Sequence, residues 1–504
     1  MERHIQLLQY TAVDRHFFEP QGRRRAREDD FIVPLRRHLP DDWTLRRSGV
    51  WMHCKPIHAE LPAQGWKIHI SSVVPTAHIV LSIAAAALIE SGTAFKFAVD
   101  TDMLTAINGK RWPRGGSGKF ITVYPRDVDD FRQVIGNLHA ALSGYVGPYV
   151  LTDRRYADSH VLHYRYGGIV SESRVMPDGT REWLLRRPDD GVEPDERQPR
   201  FHVPDWIRDP FGDETIPGTP AQTLLGAGRY RVHTALAFSA AGGVYLADDL
   251  AEGKRVVIKE ARPHIGVDGG AKDSLRKEFR LLRRLAPLGA TPRPVAYFED
   301  WEHSFLVEEY LRGDTLRRWL GRRYPWLKTR ATRGDVALFL HEVVAVFSRL
   351  AVALDAMHAS GVSVGDLSFH NIIVDTAGGV RIIDLEAAIE DAIDPPVDMH
   401  TPGFATGSPN RRGSHAAACA EDRYAFGANL AAAVMPINAM LPLDRSAALR
   451  FAKLVGDDMG YPASLTRMLA RLLDARPDAR PSPVVAMEAI AATLDDMASG
   501  PLPV

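Results

Sequence analysis

The segment that most restricts what this chain can be is Gly361 to Leu385, GVSVGDLSFHNIIVDTAGGVRIIDL. Asp366 is followed five residues later by Asn371, then by an apolar strand, a turn at Gly378-Gly379, a second apolar strand and Asp384. That order suits a metal-nucleotide site. Asp366 can orient a nucleophilic hydroxyl and accept its proton, while Asn371 and Asp384 offer oxygen ligands to Mg²⁺ bridging nucleotide phosphates. For this stretch alone a plain Gly/Asp-rich hairpin is the alternative, because D-x-x-x-x-N is a loose pattern. The choice depends on the residues upstream.

Composition narrows the field. With 504 residues, 45% apolar and 25% charged, the chain has an ordinary soluble composition and length for roughly two to four domains. A formal net charge of −1 gives no bulk attraction to nucleic acid or a membrane surface. Cys54 and Cys419 are the sole cysteines, which excludes a multi-cysteine zinc cage or disulfide framework and suits a reducing cytoplasm. Met1 to Tyr10 lacks a basic region followed by an apolar core, and the apolar run Ile79 to Ile89 is only eleven residues. Neither a signal peptide nor a membrane span is expected.

Residues 1 to about 60 read as irregular and helical pieces without assignable chemistry. Gly65 to Ser71, GWKIHIS, then alternates, so a strand would bury Trp66, Ile68 and Ile70 and project Lys67 and His69. A helix is expected from about Thr76 to Glu90, and a strand from Phe95 to Val99 carries Lys96 between two phenylalanines. Gly115 to Pro125 reads as a Gly-rich turn into a strand, and Val128 to Ser143 as a helix. Gly147 to Ile169 is strand-rich and supplies Arg154, Arg155 and Arg165. Arg186 to Arg200 reads as a loop, and Trp206 to Thr223, with Pro210, Pro217 and Pro220, as a linker. Two lysines, a histidine and arginines suit a phosphate dianion. Elimination from phosphoserine or phosphothreonine would need a base, a cation for enolate-like charge and an acid for the departing phosphate. Surface residues of an ordinary sheet are the competing reading.

The ordered motifs Gly-Trp-Lys67-Ile-His69-Ile-Ser, Phe-Lys96-Phe, GSGKFITVYP with Lys119 and Tyr124, and Tyr-Arg165-Tyr-Gly-Gly resemble the N-terminal phosphothreonine/phosphoserine lyase domain of class III lanthipeptide synthetases. That domain is similar to the bacterial effector phosphothreonine lyases. The resemblance covers roughly residues 5 to 205. It implies Lys96 as base, Lys67 as carbonyl or enolate stabiliser and His69 as general acid. Lys119 and Arg165 would bind phosphate, with Arg155 in competition with Arg154 for that role and Tyr124 assisting.

A second set of motifs follows. Gly242-Gly243-Val244 retains the third glycine of a kinase Gly-rich loop, Val256-Val-Ile-Lys259 comes fifteen residues after Val244, and Glu278 nineteen residues further. Lys259 and Glu278 would form the ion pair that positions a nucleotide. Phe305 to Leu316 reads as a strand ending in a hinge where backbone groups of Glu308 to Tyr310 bond a purine. A long helix, about Gly334 to Ser360, leads into the opening segment. Thr401 to Phe404, Glu421 to Gly427 and Ala475 to Ser482 resemble later protein-kinase elements.

Several positions depart from the kinase pattern. Glu386 stands where glycine is usual after Asp384-Leu385, and Ser368 where a catalytic lysine is usual, leaving His370 or no residue as the cation there. Val364-Gly365 replaces His-Arg, and Asn410 follows Pro409 where glutamate is expected, leaving Arg480 without its usual partner. Most of these departures also resemble the class III synthetase kinase.

The expected fold class is therefore α+β: a lyase-like α/β domain over 1–205, a linker over 206–224, and a bilobal kinase-like domain over 225–504, with lobes 225–311 and 312–504. About twenty residues follow the last kinase turn, too few for the cyclase domain that usually continues such synthetases. The resemblance implies a cytoplasmic bifunctional dehydratase. It would use ATP or GTP with Mg²⁺ on a ribosomal precursor peptide with a leader and a Ser/Thr/Cys-rich core, alongside a separate cyclase or decarboxylase. An orphan Ser/Thr kinase with a phosphopeptide-binding N-terminal domain, and a non-catalytic kinase-like scaffold, stand as alternatives.

Overall fold

The computed structural model describes residues 25–494 except 171, 196–197, 213–222, 267–269, 328–330, 398, 407–412 and 436–444. The chain divides into two compact units. The first is Met1–Lys254 with Ile258–Asp273 and Phe298–Phe305; the second is Arg255–Val257 with Ser274–Tyr297 and Leu306–Val504.

The first unit opens with α1 (Glu28–Arg36) and the hairpin β1 (Trp43–Ser48) and β2 (Trp51–Pro56). These strands lie where the sequence suggested irregular and helical pieces. Arg46 and Arg47 disguise their alternation, but Met52 and Cys54 are buried and Gly49, at φ 61°, makes the turn. The chain continues through β3 (Gln64–Ile70), α2 (Ala77–Glu90), β4 (Ala94–Ala98), α3 (Thr101–Ile107), β5 (Ile121–Tyr124), α4 (Val128–Ala141), β6 (Arg154–Arg155) and β7 (Leu162–Gly168). The seven strands form one sheet in the order β1-β2-β4-β5-β3-β7-β6, antiparallel at every pairing.

Because paired residues of antiparallel strands share a face, the register sorts every side chain. One face carries Trp66, Ile68 and Ile70 of β3, Phe95 and Phe97 of β4, Ile121 and Val123 of β5, and Leu162 and Tyr164 of β7. These residues join the core, and α4 packs on β3 and β7. The opposite face carries a polar row. His53, Lys96, Thr122, His69, His163 and Arg155 follow one another across β2, β4, β5, β3, β7 and β6. The paired Lys67 and Arg165 lie one alternation away. Both faces of β3 are buried, so Lys67 and His69 are interior residues rather than the surface residues of an ordinary sheet.

A three-stranded sheet in the order β10-β9-β8 follows, from β8 (Ser173–Val175), β9 (Arg181–Arg186) and β10 (Val192–Pro194). β10 falls inside the stretch expected to be a loop; it is an edge strand of three residues, too short to show periodicity and ending on a proline. Of the stretch expected as a linker, Trp206 packs edge-on against Tyr166, and Phe211 packs against Phe131 and Tyr164. Residues 213–222 lie outside the described residues. Then come β11 (Thr223–Leu225), β12 (Tyr230–Ser239), β13 (Gly242–Asp249), β14 (Lys254–Ala261), α5 (Ala271–Leu285), β15 (Pro294–Asp300) and β16 (His303–Glu309). The sheet order is β11-β12-β13-β14-β16-β15.

The second unit adds β17 (Gly313–Thr315), α6 (Leu316–Gly321), α7 (Arg333–Ala359), β18 (Val362–Ser363), β19 (Ile372–Asp375), β20 (Val380–Ile382), β21 (Ile389–Glu390), α8 (His415–Val434), α9 (Arg445–Met459), α10 (Ala463–Leu472) and α11 (Pro483–Ala491). A capping box of Thr332 and Asp335 starts α7. By length and hydropathy α7 qualifies as a membrane span, which the sequence reading did not anticipate. Its buried stripe, including Phe339, Val343, Phe347, Leu350 and Leu354, is that of a core helix, and it packs on α8 and α11.

The end of α7 is tied to α8 by charge. His358 Nε2 donates to Asp422 Oδ2 at 2.9 Å, with the side chains 8% and 1% exposed. Burial opposes the imidazolium, but Asp422 and Cys419 outweigh it and raise His358 from 6.5 to about 9. The stabilisation is therefore fully present below pH 6.5 and lost as pH rises through about 9, a change of roughly 3 kcal/mol. Urea unfolding at pH 6.5 and pH 9.5 should show this loss in the unmutated protein and a much flatter pH dependence in His358→Gln.

Candidate active site

On the polar face of the N-terminal sheet, His69 Nδ1 is 2.5 Å from Asp153 Oδ2. Lys119 Nζ approaches the other oxygen of Asp153 at 3.6 Å, and Thr152 Oγ1 donates to it at 2.5 Å. Asp153 is fully buried, so it must be satisfied from within. Burial would raise its carboxyl, yet His69 and Lys119 hold it well below the usual carboxylate range. Burial pushes His69 down to about 3, against the upward pull of Asp153. A carboxylate can only accept, so a neutral His69 carries its proton on Nδ1 and presents a bare Nε2.

A second carboxylate serves the next row. Arg165 Nη2 lies 2.7 Å from Asp195 Oδ1, and Gly168 N donates to Asp195 Oδ2 at 3.3 Å. Lys67 Nζ donates to Gly168 O at 2.8 Å. Lys67 Nζ, Arg165 Nη2 and Asp195 Oδ1 each stand 3.1 Å from where a Cβ on Gly167 would be, so the glycine leaves room for the three groups to converge. Tyr124, two residues from Thr122 on β5, is 8% exposed on the same face.

Lys96 belongs to the His69 row with Thr122 between them, and its ammonium lies 4.8 Å from the Trp51 ring centroid. The register decides between the two adjacent arginines. Arg155 pairs with His163 and shares the polar face; Arg154 pairs with Tyr164 on the apolar face, where it meets Asp209 at 3.1 Å. Arg155, however, donates both terminal nitrogens to Glu302, at 2.6 and 2.8 Å. Asp153 and Asp195 escaped sequence reasoning. Asp153 stands immediately before Arg154-Arg155, and the signal that could have found it is the need of a buried cationic row for a counter-charge.

The nucleotide-type elements lie along β12 to β16 and in the second unit. A Cβ on Gly242 would sit 1.9 Å from Glu260 O, so the backbone-to-backbone approach at this turn requires glycine. Val244 pairs with Ala237 on β12, and Lys259 is half-buried on β14. Glu309 N donates to Arg293 O at 2.9 Å, so backbone alternation aims the polar groups of Glu308 and Tyr310 to the other side.

In the second unit, Glu278 on α5 accepts from Leu385 N at 3.0 Å. β19 and β20 form the hairpin expected around Gly378-Gly379. Asn371 O accepts from Ile383 N at 2.9 Å, which brings Asn371 beside the Asp384 segment. Asp384 is left-handed at φ 62°, a conformation aspartate tolerates. Asn371 Nδ2 donates to Asp366 O at 3.0 Å, leaving its Oδ1 as the atom that can ligate a cation. The Asp366 carboxylate accepts from Thr401 N at 2.6 Å and Thr401 Oγ1 at 3.1 Å. Asp422 accepts from Val364 N and Gly365 N at 2.7 and 2.8 Å, so the loop is held through its backbone where His-Arg is absent.

Burial, and then Arg317, lower His370, whose Nε2 is 3.3 Å from Arg317 Nη1. Arg317 thus places a guanidinium beside His370 at this loop. Arg480, expected to be without its usual partner, pairs with Glu421 at 3.3 Å and also donates to Ala420 O at 2.6 Å. Asn410 itself lies outside the described residues. Among those residues no cluster of three or more His, Cys, Asp or Glu forms a metal cage. Mg²⁺ with a nucleotide needs only one or two protein oxygens besides phosphate, and Asn371 Oδ1 with the Asp384 carboxylate meets that requirement.

Residues 32–222 match the RamC N-terminal domain family, and residues 230–490 match the protein kinase domain family. The chain is 37% identical to the probable SapB synthase of Streptomyces coelicolor, over 89% of this chain and 48% of the relative. It is 28% identical to CBL-interacting protein kinase 12 of Oryza sativa subsp. japonica, over 51% of this chain and 46% of the relative. A 28% match to the serine/threonine-protein kinase pkn2 of Myxococcus xanthus covers 34% of this chain and 19% of that protein. The chain thus spans about half the length of the first two relatives. The order of a RamC N-terminal domain followed by a protein kinase domain, in an α+β chain, is the one its motifs resembled, and the chain belongs to the protein kinase domain family, with a RamC-type N-terminal domain ahead of the kinase domain.

Proposed function

We propose that this chain is a bifunctional peptide dehydratase that phosphorylates Ser or Thr of a ribosomal precursor peptide and then eliminates the phosphate. The observation that carries the reading is the buried polar face on which His69 and Asp153 sit with Lys67, Lys119 and Arg165. A buried cluster of cations around an oriented imidazole is costly to fold and suits a phosphate dianion.

In the first step Asp366, its carboxylate oriented by Thr401, takes the proton of the peptide hydroxyl as the hydroxyl oxygen bonds to the γ-phosphorus of ATP or GTP and the bond from that phosphorus to the β–γ bridging oxygen breaks, releasing the nucleoside diphosphate. Lys259 holds the α/β-phosphates. Backbone groups of Glu308 and Tyr310 hold the base. Mg²⁺ held by Asn371 and Asp384 would neutralise phosphate charge.

In the second step Lys96 removes the Cα proton and Lys67 stabilises the charge that develops on the carbonyl. The Cα–H electron pair becomes the Cα=Cβ bond, the Cβ–O bond breaks, and phosphate leaves with a proton delivered by His69. Lys119, Arg165 and Tyr124 hold the phosphate, and Arg155 can join them only by leaving Glu302. A resting, neutral His69 must gain a proton on Nε2 before it can donate one, and an entering dianion favours that protonation. The product is dehydroalanine or dehydrobutyrine, made in the cytoplasm.

Mass spectrometry of a cognate phosphopeptide incubated with the protein, without nucleotide, should show loss of one phosphoric acid. An unchanged cognate phosphopeptide would shift the assignment to a kinase that only binds its product. With nucleotide and unmodified precursor, Lys96→Met should accumulate phosphopeptide. Asp366→Asn should abolish phosphorylation and still eliminate phosphate from a prephosphorylated peptide. Asp153→Asn should slow elimination by about 10²-fold or more while phosphorylation proceeds, since an orienting carboxylate sets the tautomer of its histidine.

A further inference from the structure

The turn Ser239 to Gly242 between β12 and β13 is the one that, on the kinase reading, closes over nucleotide phosphates. A loop tip of that kind is ordinarily exposed and mobile. Here Ala240 and Ala241 are buried, at 0% and 8% exposure. Ala240 N donates to Lys110 O at 3.0 Å, and Ala240 O accepts from Arg262 Nη1 at 2.6 Å. Arg262 N in turn donates to Ala241 O at 2.7 Å. The flank of the turn is covered as well, by the Arg114 guanidinium 4.1 Å from the Phe238 ring centroid. All these residues belong to the first unit.

Arg262 is 1% exposed, the bulkiest fully buried side chain among the described residues. Burial lowers its guanidinium to about 10, which leaves it a cation at neutral pH. Its other terminal nitrogen, Nη2, donates to Tyr149 O. The same side chain therefore holds two backbone carbonyls that are ninety-one residues apart in sequence, as only a forked, planar donor can. The nearby Glu260 is engaged by His303 Nδ1 at 2.5 Å and by Tyr245 OH at 2.6 Å. From Tyr149 the connection continues: its hydroxyl donates to Asp153 O at 3.0 Å, and its ring stands edge-on to His163 at 5.0 Å. Asp153 is the carboxylate that orients His69.

We propose that Arg262 is a positioning residue for both activities, one nitrogen fixing the turn that receives nucleotide phosphates and the other fixing Tyr149 and, through it, the Asp153–His69 pair. This rests on the two-step reading above. The turn is held directly by this buried fork, and Asp153, whose carboxylate meets His69, Lys119 and Thr152, is held at its backbone carbonyl by Tyr149 and so by the same fork at one remove. Lysine keeps the charge but cannot span both carbonyls, so Arg262→Lys separates geometry from charge. Tyr149→Phe removes only the hydroxyl at the lyase end and leaves the carbonyl that Arg262 binds.

Three measurements on the full chain test this: hydrogen exchange at the Ala240 amide, the KM for ATP in precursor phosphorylation, and single-turnover elimination from a prephosphorylated peptide without nucleotide. Arg262→Lys should lose about tenfold in Ala240 protection, raise the KM for ATP about fivefold at little-changed kcat, and slow elimination about tenfold, as expected of a small misplacement at each end. Tyr149→Phe should slow elimination with an unchanged KM for ATP. The proposal is overturned if Arg262→Lys alters neither activity or only one, or if Tyr149→Phe raises the KM for ATP as much as Arg262→Lys does. It is also overturned if the Ala240 amide of the unmutated protein exchanges like an unstructured peptide, a result independent of either variant folding. Absence of elimination by the unmutated protein would instead sink the two-step reading itself.

Discussion

The polar face of the N-terminal sheet depends on two buried carboxylates, Asp153 and Asp195. Lys67, His69, Lys119 and Arg165 are each 8% exposed or less, and an uncompensated charge in such a place costs several kcal/mol. Asp153 compensates Lys119 and fixes the neutral His69; Asp195 compensates Arg165. The carboxylates come from β6's approach and from beyond β10, so the segments outside the sheet are fixed by the charge that the sheet buries. The apolar face could fold with any cations opposite it, but those cations could not stay inside without these two partners.

The second unit uses the same device chiefly on backbone, with one cation, His358, beside it. Asp422 collects the amides of Val364 and Gly365 together with the His358 imidazolium, and Asp366 collects the amide and hydroxyl of Thr401. Each carboxylate converts a loop, which has no ladder of its own, into a fixed shape. This explains why the catalytic-type loop keeps its geometry although the residues before Asp366 are Val364 and Gly365 rather than a histidine and an arginine.

What the sequence disclosed follows from how local each signal was. The alternation of β3, the apolar run of α2, the hairpin at Gly378-Gly379 and the capped start of α7 are carried by neighbouring residues, and their limits were read to within a residue or two. The hairpin of β1 and β2 was missed because its arginines blur the period, and β10 because three edge residues have none. Lys67, His69 and Arg165 were legible as a set, yet their grouping on one face depends on strand register, a long-range property. Register also separates Arg155 from Arg154, which adjacency in sequence could not do. Asp153, Asp195, Arg262 and the Arg155–Glu302 pair join residues far apart in the chain, and no local pattern marks them.

The internal pairing of the polar face bears on the order of the two proposed steps. A serine or threonine hydroxyl carries no charge and gives Lys119 and Arg165 no reason to turn from Asp153 and Asp195. A phosphorylated side chain carries close to two negative charges at neutral pH, enough to compete with a single carboxylate for those cations in a low-dielectric setting. Elimination would then be confined to peptide that has already been phosphorylated, without any contact to the rest of the substrate. A bifunctional chain benefits from this, since tethering the two sites raises the local concentration of the intermediate at the second one. On the proposed two-step reading, the resting carboxylates would serve both as stability partners and as a threshold that only a dianion crosses.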